Sequence, residues 1–189
     1  MPESNLLHEL VSCAAERDPR ALALTYGDAQ LSYGGLAHDV QRLACGLISL
    51  GLARGERVAI YLEKRIETVT ASFGACAAGG VFVPLNPLLK PEQAGYILND
   101  CQVRILITSP ERLDLLRSVL ADCPALRCVV LTGASAAGTT HAKLPIIQWA
   151  QLLARDGAGM RTGLATLQRF GAQFGLNSRR QRVHARPPN

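Results

Sequence analysis

No stretch of this 189-residue chain approaches the roughly 20 consecutive apolar residues that a membrane-spanning helix requires. Its most apolar runs, Val58 to Leu62 and Val81 to Leu85, are closed by charge or by proline. Met1-Pro2-Glu3-Ser4-Asn5 lacks the basic stretch of a secretory signal, and Leu6-Leu7 is broken at once by His8 and Glu9. A soluble, cytoplasmic protein without a membrane span is expected. The six cysteines, at 13, 45, 76, 101, 123 and 128, contain no CxxC pair, and the four histidines, 8, 38, 141 and 184, share no metal-ligand spacing, which excludes the common zinc modules. Reduced thiols are expected, with Cys45 and Cys76 as small core hydrophobes. No GxGxxG motif follows the first buried strand, since Leu62 leads into Glu63-Lys64-Arg65, and a dinucleotide-binding protein is disfavoured.

What is present suits one globular domain with a tail. Hydrophobic residues make up 48% and charged residues 19% of the chain, enough apolar surface to offset the ordering entropy of a packed core. The net charge of +5 is not spread over that domain. From residue 155 onward seven arginines face a single acid, Asp156, so the preceding body is close to neutral. The segment 156–189 has glycines at 157, 159, 163, 171 and 175 and a terminal proline pair, and it is expected to be a basic, poorly structured tail. Only Phe170 and Phe174 interleave its charge, so no nucleic-acid partner is expected. A non-enzymatic α/β protein whose basic tail binds polyanions is the second reading, and such binding would weaken with salt.

The body alternates helical and extended patterns. Leu6, Leu7, Leu10, Val11 and Ala14 predict a helix over 5–18, stopped by Asp18-Pro19. Ala21 to Tyr26 and Gln30 to Tyr33 flank Gly27-Asp28 and predict a hairpin, after which Ser32 caps a helix striped by Leu36, Val40, Leu43, Leu47 and Leu50 and closed by Gly51. Arg57 to Leu62 reads as a strand covered on both faces. There follow a helix through Ile66, Val69, Phe73 and Ala77, a short strand Val81 to Pro84, and a helix from Pro91 to about Asp100 with Tyr96, Ile97 and Leu98 inward. Arg104 to Thr108 is a strand, Ser109-Pro110-Glu111 starts a helix to about Ala121, and Arg127 to Thr132 is a further strand. Ala134 to Thr140 is a small-residue loop, and Leu144 to Leu153 runs from an extended piece into a short helix near Trp149. Repeated strand-helix-strand units imply an α/β fold with a largely parallel sheet and flanking helices.

Three stretches together resemble the AMP-forming acyl-CoA ligases and the other adenylate-forming (AMP-binding) enzymes. Leu31-Ser32-Tyr33-Gly34-Gly35-Leu36 is similar to an early "LTYxEL" signature, with Gly35 where a glutamate is usual, a change that weakens the helix start. Ala75 to Pro87, reading ACAAGGVFVPLNP, resembles the family's "KAGGxxVPLNP" turn from helix to strand. Gly95-Tyr96-Ile97-Leu98-Asn99-Asp100-Cys101 is similar to the helix that follows. The resemblance covers roughly residues 5–155, and the wording at Tyr61 to Arg65 and Leu88 to Gln93 is nearest to bacterial acyl-CoA ligases of exopolysaccharide and exosortase loci.

The resemblance implies that 1–155 is the partial, amino-terminal portion of such a ligase's large domain. The full-length enzyme would activate a carboxylic acid with ATP and Mg²⁺ to an acyl-adenylate and pass the acyl group to coenzyme A. The family's phosphate loop, of the type "TSGSTGxPKG", has no counterpart here: Thr132 to Thr140 is rich in glycine and hydroxyls, but Lys143 precedes Leu144-Pro145 rather than a glycine, and the segment lies too early. Catalytic, cofactor-binding and metal-binding residues are therefore expected to be none within this chain. By resemblance Arg112 and the Asn86 to Lys90 turn lie near the coenzyme A channel, whereas an arginine at a helix start reads by itself as a solvated charge. The chain is expected to be a truncated ligase, inactive alone, with a frameshift near residues 154–160. Its sheet edge, completed in the family by later strands, is expected to favour self-association.

Overall fold

The computed structural model describes residues 6–133 and 144–154. The loop expected at 134–140, Lys143 and the basic segment 156–189 lie outside the described residues. Helix α1 spans Glu9–Arg17, the hairpin strands are β1 (Leu22–Tyr26) and β2 (Ala29–Ser32), and α2 runs Tyr33–Ser49. Then come β3 (Arg57–Tyr61), α3 (Ile66–Ala77), β4 (Val81–Pro84), α4 (Pro91–Asp100) and β5 (Val103–Thr108). Helix α5 (Pro110–Leu116), a 3₁₀ turn at Leu120–Asp122, β6 (Cys128–Leu131), β7 (Ile146–Gln148) and α6 (Trp149–Ala154) complete the order.

The caps follow from residue chemistry. Ser32 Oγ accepts from the Gly35 amide at 3.2 Å, and Ser109 Oγ accepts from the Arg112 amide, so each hydroxyl satisfies a donor that a helix start leaves open. The Ala75 to Pro87 string makes its turn through a Schellman ending. The Gly80 amide donates to Ala75 O and the Gly79 amide to Cys76 O, both at 2.9 Å, with Gly79 at φ 79°. Gly80 is needed for closeness instead: a Cβ there would stand 3.1 Å from Glu56 O and 3.2 Å from Ala75 O.

Strands β4-β3-β5-β6-β7 form one parallel sheet, with Ala59 opposite both Val83 and Leu106. Alternate residues of each strand feed two separate cores. Val58, Ile60, Ile105, Ile107 and Val130 pack with Leu43, Leu47, Ala71, Ala75 and Leu152 from α2, α3 and α6. Ala59, Tyr61, Leu106 and Val129 pack with Ala94, Leu98, Leu113 and Leu116 from α4 and α5. The result is helix, sheet, helix layering, in which β5 is covered on both faces as its unbroken apolar run requires. Small residues set the helix approach: a Cβ at Gly74 would meet Leu43 at 2.6 Å, and one at Gly46 would meet Leu152 at 2.7 Å.

Three expectations need correction. Tyr96 does not face inward; it is 70% exposed, because Ala94 and Leu98 already define the buried stripe and a helix turns about 100° per residue. Helix α1 begins at Glu9 rather than residue 5, leaving Leu6 and Leu7 exposed before it. Helix α5 ends at Leu116, and the chain tightens into the 3₁₀ turn before Cys123-Pro124, short of one continuous helix to Ala121.

The outer side of β4 is poor in donors. Val81 and Leu85 donate to Glu56 O and Ile60 O on the β3 side, so the alternate amides of Phe82 and Pro84 face outward, and proline has none. At the other edge, β7 is three residues long and its Gln148 amide is taken by Gln151 Oε1 at 3.4 Å.

Candidate functional site

The strand order reverses at β3. From β3 the chain crosses to β4 through α3 on one face, then crosses back over β3 to β5 through α4 on the other. Open α/β sheets bind ligands outside the carboxyl ends of the strands at such a reversal. Three segments converge there: Tyr61-Leu62-Glu63 leaving β3, Leu85-Asn86-Pro87 leaving β4, and Ser109 to Arg112 leaving β5.

Arg112 joins all three. Its Nη1 donates to Pro87 O at 2.6 Å, its Nη2 pairs with Glu63 Oε1 at 2.9 Å, and its guanidinium lies 4.9 Å from the centre of the Tyr61 ring. The Tyr61 ring is buried in the core that α4 and α5 cover, and its hydroxyl donates to Leu89 O at 2.9 Å. The reading of Arg112 as a solvated charge is thus overturned, because its side chain is only 14% exposed and both Nη groups and the Tyr61 ring engage it. Arg112 also touches the Asn86–Lys90 turn, through Pro87 O. The signal that could have shown this is Tyr61, an aromatic with a polar end in an otherwise aliphatic buried strand.

Arg65 at this end is paired as well. Arg65 forms a two-point contact with Glu67, at 2.9 Å through both Nε and Nη2, and that hydrogen bond pushes the guanidinium pKa further up. The Ser109 hydroxyl, the Glu111 amide and nearby Arg65 hold the Glu111 carboxyl below the usual carboxylate range. Beneath them Thr108 donates to Tyr61 O at 2.9 Å and Thr132 to Thr108 O, so two fully buried hydroxyls stitch β3, β5 and β6 together.

This donor set does not fit a nucleotide polyphosphate. Arg65 and Arg112 are already neutralised by Glu67 and Glu63, and the Thr132 hydroxyl points to a strand carbonyl rather than out from the sheet. Among the described residues no group of three or more His, Cys, Asp or Glu could hold a metal ion. The Ser109 hydroxyl meets the Glu111 carboxyl, but it also caps α5 by accepting from the Arg112 amide, and no reaction step is derived from this pair. What the arrangement does supply is a wall of cross-linked side chains at the carboxyl ends of β3, β4 and β5.

Sequence and structure comparisons bear on what that wall belongs to. Residues 11–157 match the model of the AMP-binding enzyme family. The chain belongs to that family. An AMP-binding relative, the 4-hydroxybenzoate–CoA/benzoate–CoA ligase of Rhodopseudomonas palustris, is 34% identical over 129 residues, which is 68% of this chain and 23% of that protein. A PKS-NRPS hybrid synthetase of Aspergillus niger is 37% identical over 110 residues, 57% of this chain and 6% of that one. Among solved AMP-binding folds, an anthranilate CoA ligase in complex with anthranoyl-AMP superposes with a TM-score of 0.72 at 25% identity, over 81% of this chain and 28% of the other. The chain therefore spans about a quarter of the ligase and far less of the synthetase. The described α/β layers are a piece of the AMP-binding ligase fold.

Proposed function

We propose that these residues form the amino-terminal wall of an adenylate-forming acid–thiol ligase and do not by themselves activate an acid. The observation that carries this is the pairing of family membership over residues 11–157 with a crevice whose two arginines, Arg65 and Arg112, are occupied by the chain's own carboxylates. In the complete enzyme, ATP, Mg²⁺ and coenzyme A would be handled by residues beyond this wall. The wall's part is geometric: it presents the ends of β3, β4 and β5 in fixed register and keeps water from the Tyr61 side.

The wording at Tyr61 to Arg65 and Leu88 to Gln93 supports placing the protein with the exopolysaccharide-associated acyl-CoA ligases, acting in the cytoplasm on a carboxylic acid. The aromatic-acid ligases among the relatives make benzoate-like acids the first substrates to try. The test is ATP–pyrophosphate exchange by the purified chain across aromatic and fatty acids, beside calorimetric titration with ATP and coenzyme A. No exchange is expected. Acid-dependent exchange by this chain alone would show that it carries a phosphate site of its own and would end the reading.

A further inference from the structure

We propose that Tyr61 and Arg112 act as one latch that holds the Asn86–Lys90 turn against the carboxyl ends of β3 and β5. The turn shapes itself with local bonds: the Leu88 amide donates to Asn86 Oδ1 at 2.9 Å, the Leu89 amide to Asn86 O at 3.0 Å and the Lys90 amide to Gln93 Oε1 at 3.0 Å. Those bonds give the turn a form but do not fix where it sits. The sheet cannot do so either. Prolines 84, 87 and 91 remove three amides from this stretch, and the strand ladder ends with the Leu85 amide on Ile60 O.

Two alternate carbonyls of the turn, Pro87 O and Leu89 O, are instead captured by side chains from other elements, Arg112 from α5 and Tyr61 from β3. The captors support each other, since the guanidinium lies over the ring and the ring's burial fixes it. Leu88 at the tip is 88% exposed and its side chain adds no anchorage, while the Leu89 side chain packs on the core beside Tyr61 and leaves the two carbonyls to the captors. Glu63, 68% exposed, balances the guanidinium from the water side. Arg112 is accordingly a positioning residue for the wall of the crevice. The latch goes beyond the functional reading above and does not depend on it, because its test reads the turn and not turnover.

The experiment is site-resolved amide hydrogen exchange on the full chain, comparing Leu88, Leu89 and Lys90 with Leu106 and Ile107 in β5. Arg112→Ala is expected to speed exchange in the turn about ten- to a hundredfold, the range for losing a hydrogen bond from a charged donor. Tyr61→Phe keeps the ring, removes only the bond to Leu89 O, and is expected to give a several-fold rise. Glu63→Gln is expected to give less than either. The double variant should fall short of the product of its two single effects, because each captor relies on the other. In every case the β5 amides keep their wild-type rates. Should Arg112→Ala not fold, Tyr61→Phe decides alone. Unchanged exchange at 88–90, or a rise matched by an equal rise in β5, would overturn the latch.

Discussion

Replacing Glu56 with glutamine should loosen the amino-terminal edge of the sheet, and by an amount that depends on pH. Glu56 precedes β3, and its carboxylate accepts from the Ala53 amide at 2.9 Å, from Arg104 Nε at 3.1 Å and from Arg127 Nη1 and Nη2 at 3.2 and 3.0 Å. Arg104 lies in β5 and also donates to Ala125 O, while Arg127 precedes β6 and reaches Gly51 O, so one carboxylate ties the entrances of three strands. Glutamine keeps one acceptor but turns an amide group toward an arginine. A charged hydrogen bond contributes about 1.5–3 kcal/mol, and since Arg127 is 49% exposed the lower part of that range applies. A loss of about 2 kcal/mol lowers Tm by roughly 4–8 °C for a domain of this size. Burial pushes the Glu56 pKa up, but the Ala53 amide, Arg127 and Arg104 outweigh it and the net shift is downward. A carboxyl depressed in the folded state stabilises fully above its unfolded pKa, near 4.3, and loses that contribution as pH falls through the folded value. Denaturant melts of both proteins should therefore show a constant gap from pH 6 to 8 that closes below about pH 4. No gap at pH 7, or one that persists undiminished in acid, would refute the reasoning.

Gly79→Ala should cost about 1–2 kcal/mol, because φ of 79° is unfavourable with a Cβ while the nearest neighbour, Arg54, stands 3.9 Å away; thermal melts would show it without loss of the fold. Burial pushes the thiols of Cys45, Cys76 and Cys123 up, with Asp122 adding to the last, so mass spectrometry should find these three slow to alkylate at pH 7 in the native protein and fast in denaturant. The chain should pass a heparin column at physiological salt; salt-dependent retention that disappears on deleting 176–189 would favour the polyanion-binding alternative.

The order of elements was legible in the sequence because each carried its own period and punctuation. Leu36, Val40, Leu43 and Leu47 marked one face of α2 and are all buried. Gly79-Gly80 marked a helix exit that the chain does make. Tyr96 was misplaced because Tyr96-Ile97-Leu98 is apolar throughout, and three successive residues of a helix cannot share a face. Arg112 carries less signal still. A guanidinium at a helix start looks solvated in sequence, and only the reversal of strand order brings Tyr61, Glu63 and Pro87 around it from positions 25 to 51 residues away. Gly35 also has a packing side to it, since a Cβ there would stand 2.7 Å from Leu31 Cδ1.

The claim that this chain builds the amino-terminal wall of an adenylate-forming ligase is met most directly by a graft. Residues 11–154 would replace the matching segment of the Rhodopseudomonas palustris 4-hydroxybenzoate–CoA/benzoate–CoA ligase, with ATP–pyrophosphate exchange on its own acid as the readout. The account expects measurable acid-dependent exchange from the hybrid and none from the 189-residue chain alone. A hybrid that melts cooperatively yet gives no exchange would contradict it.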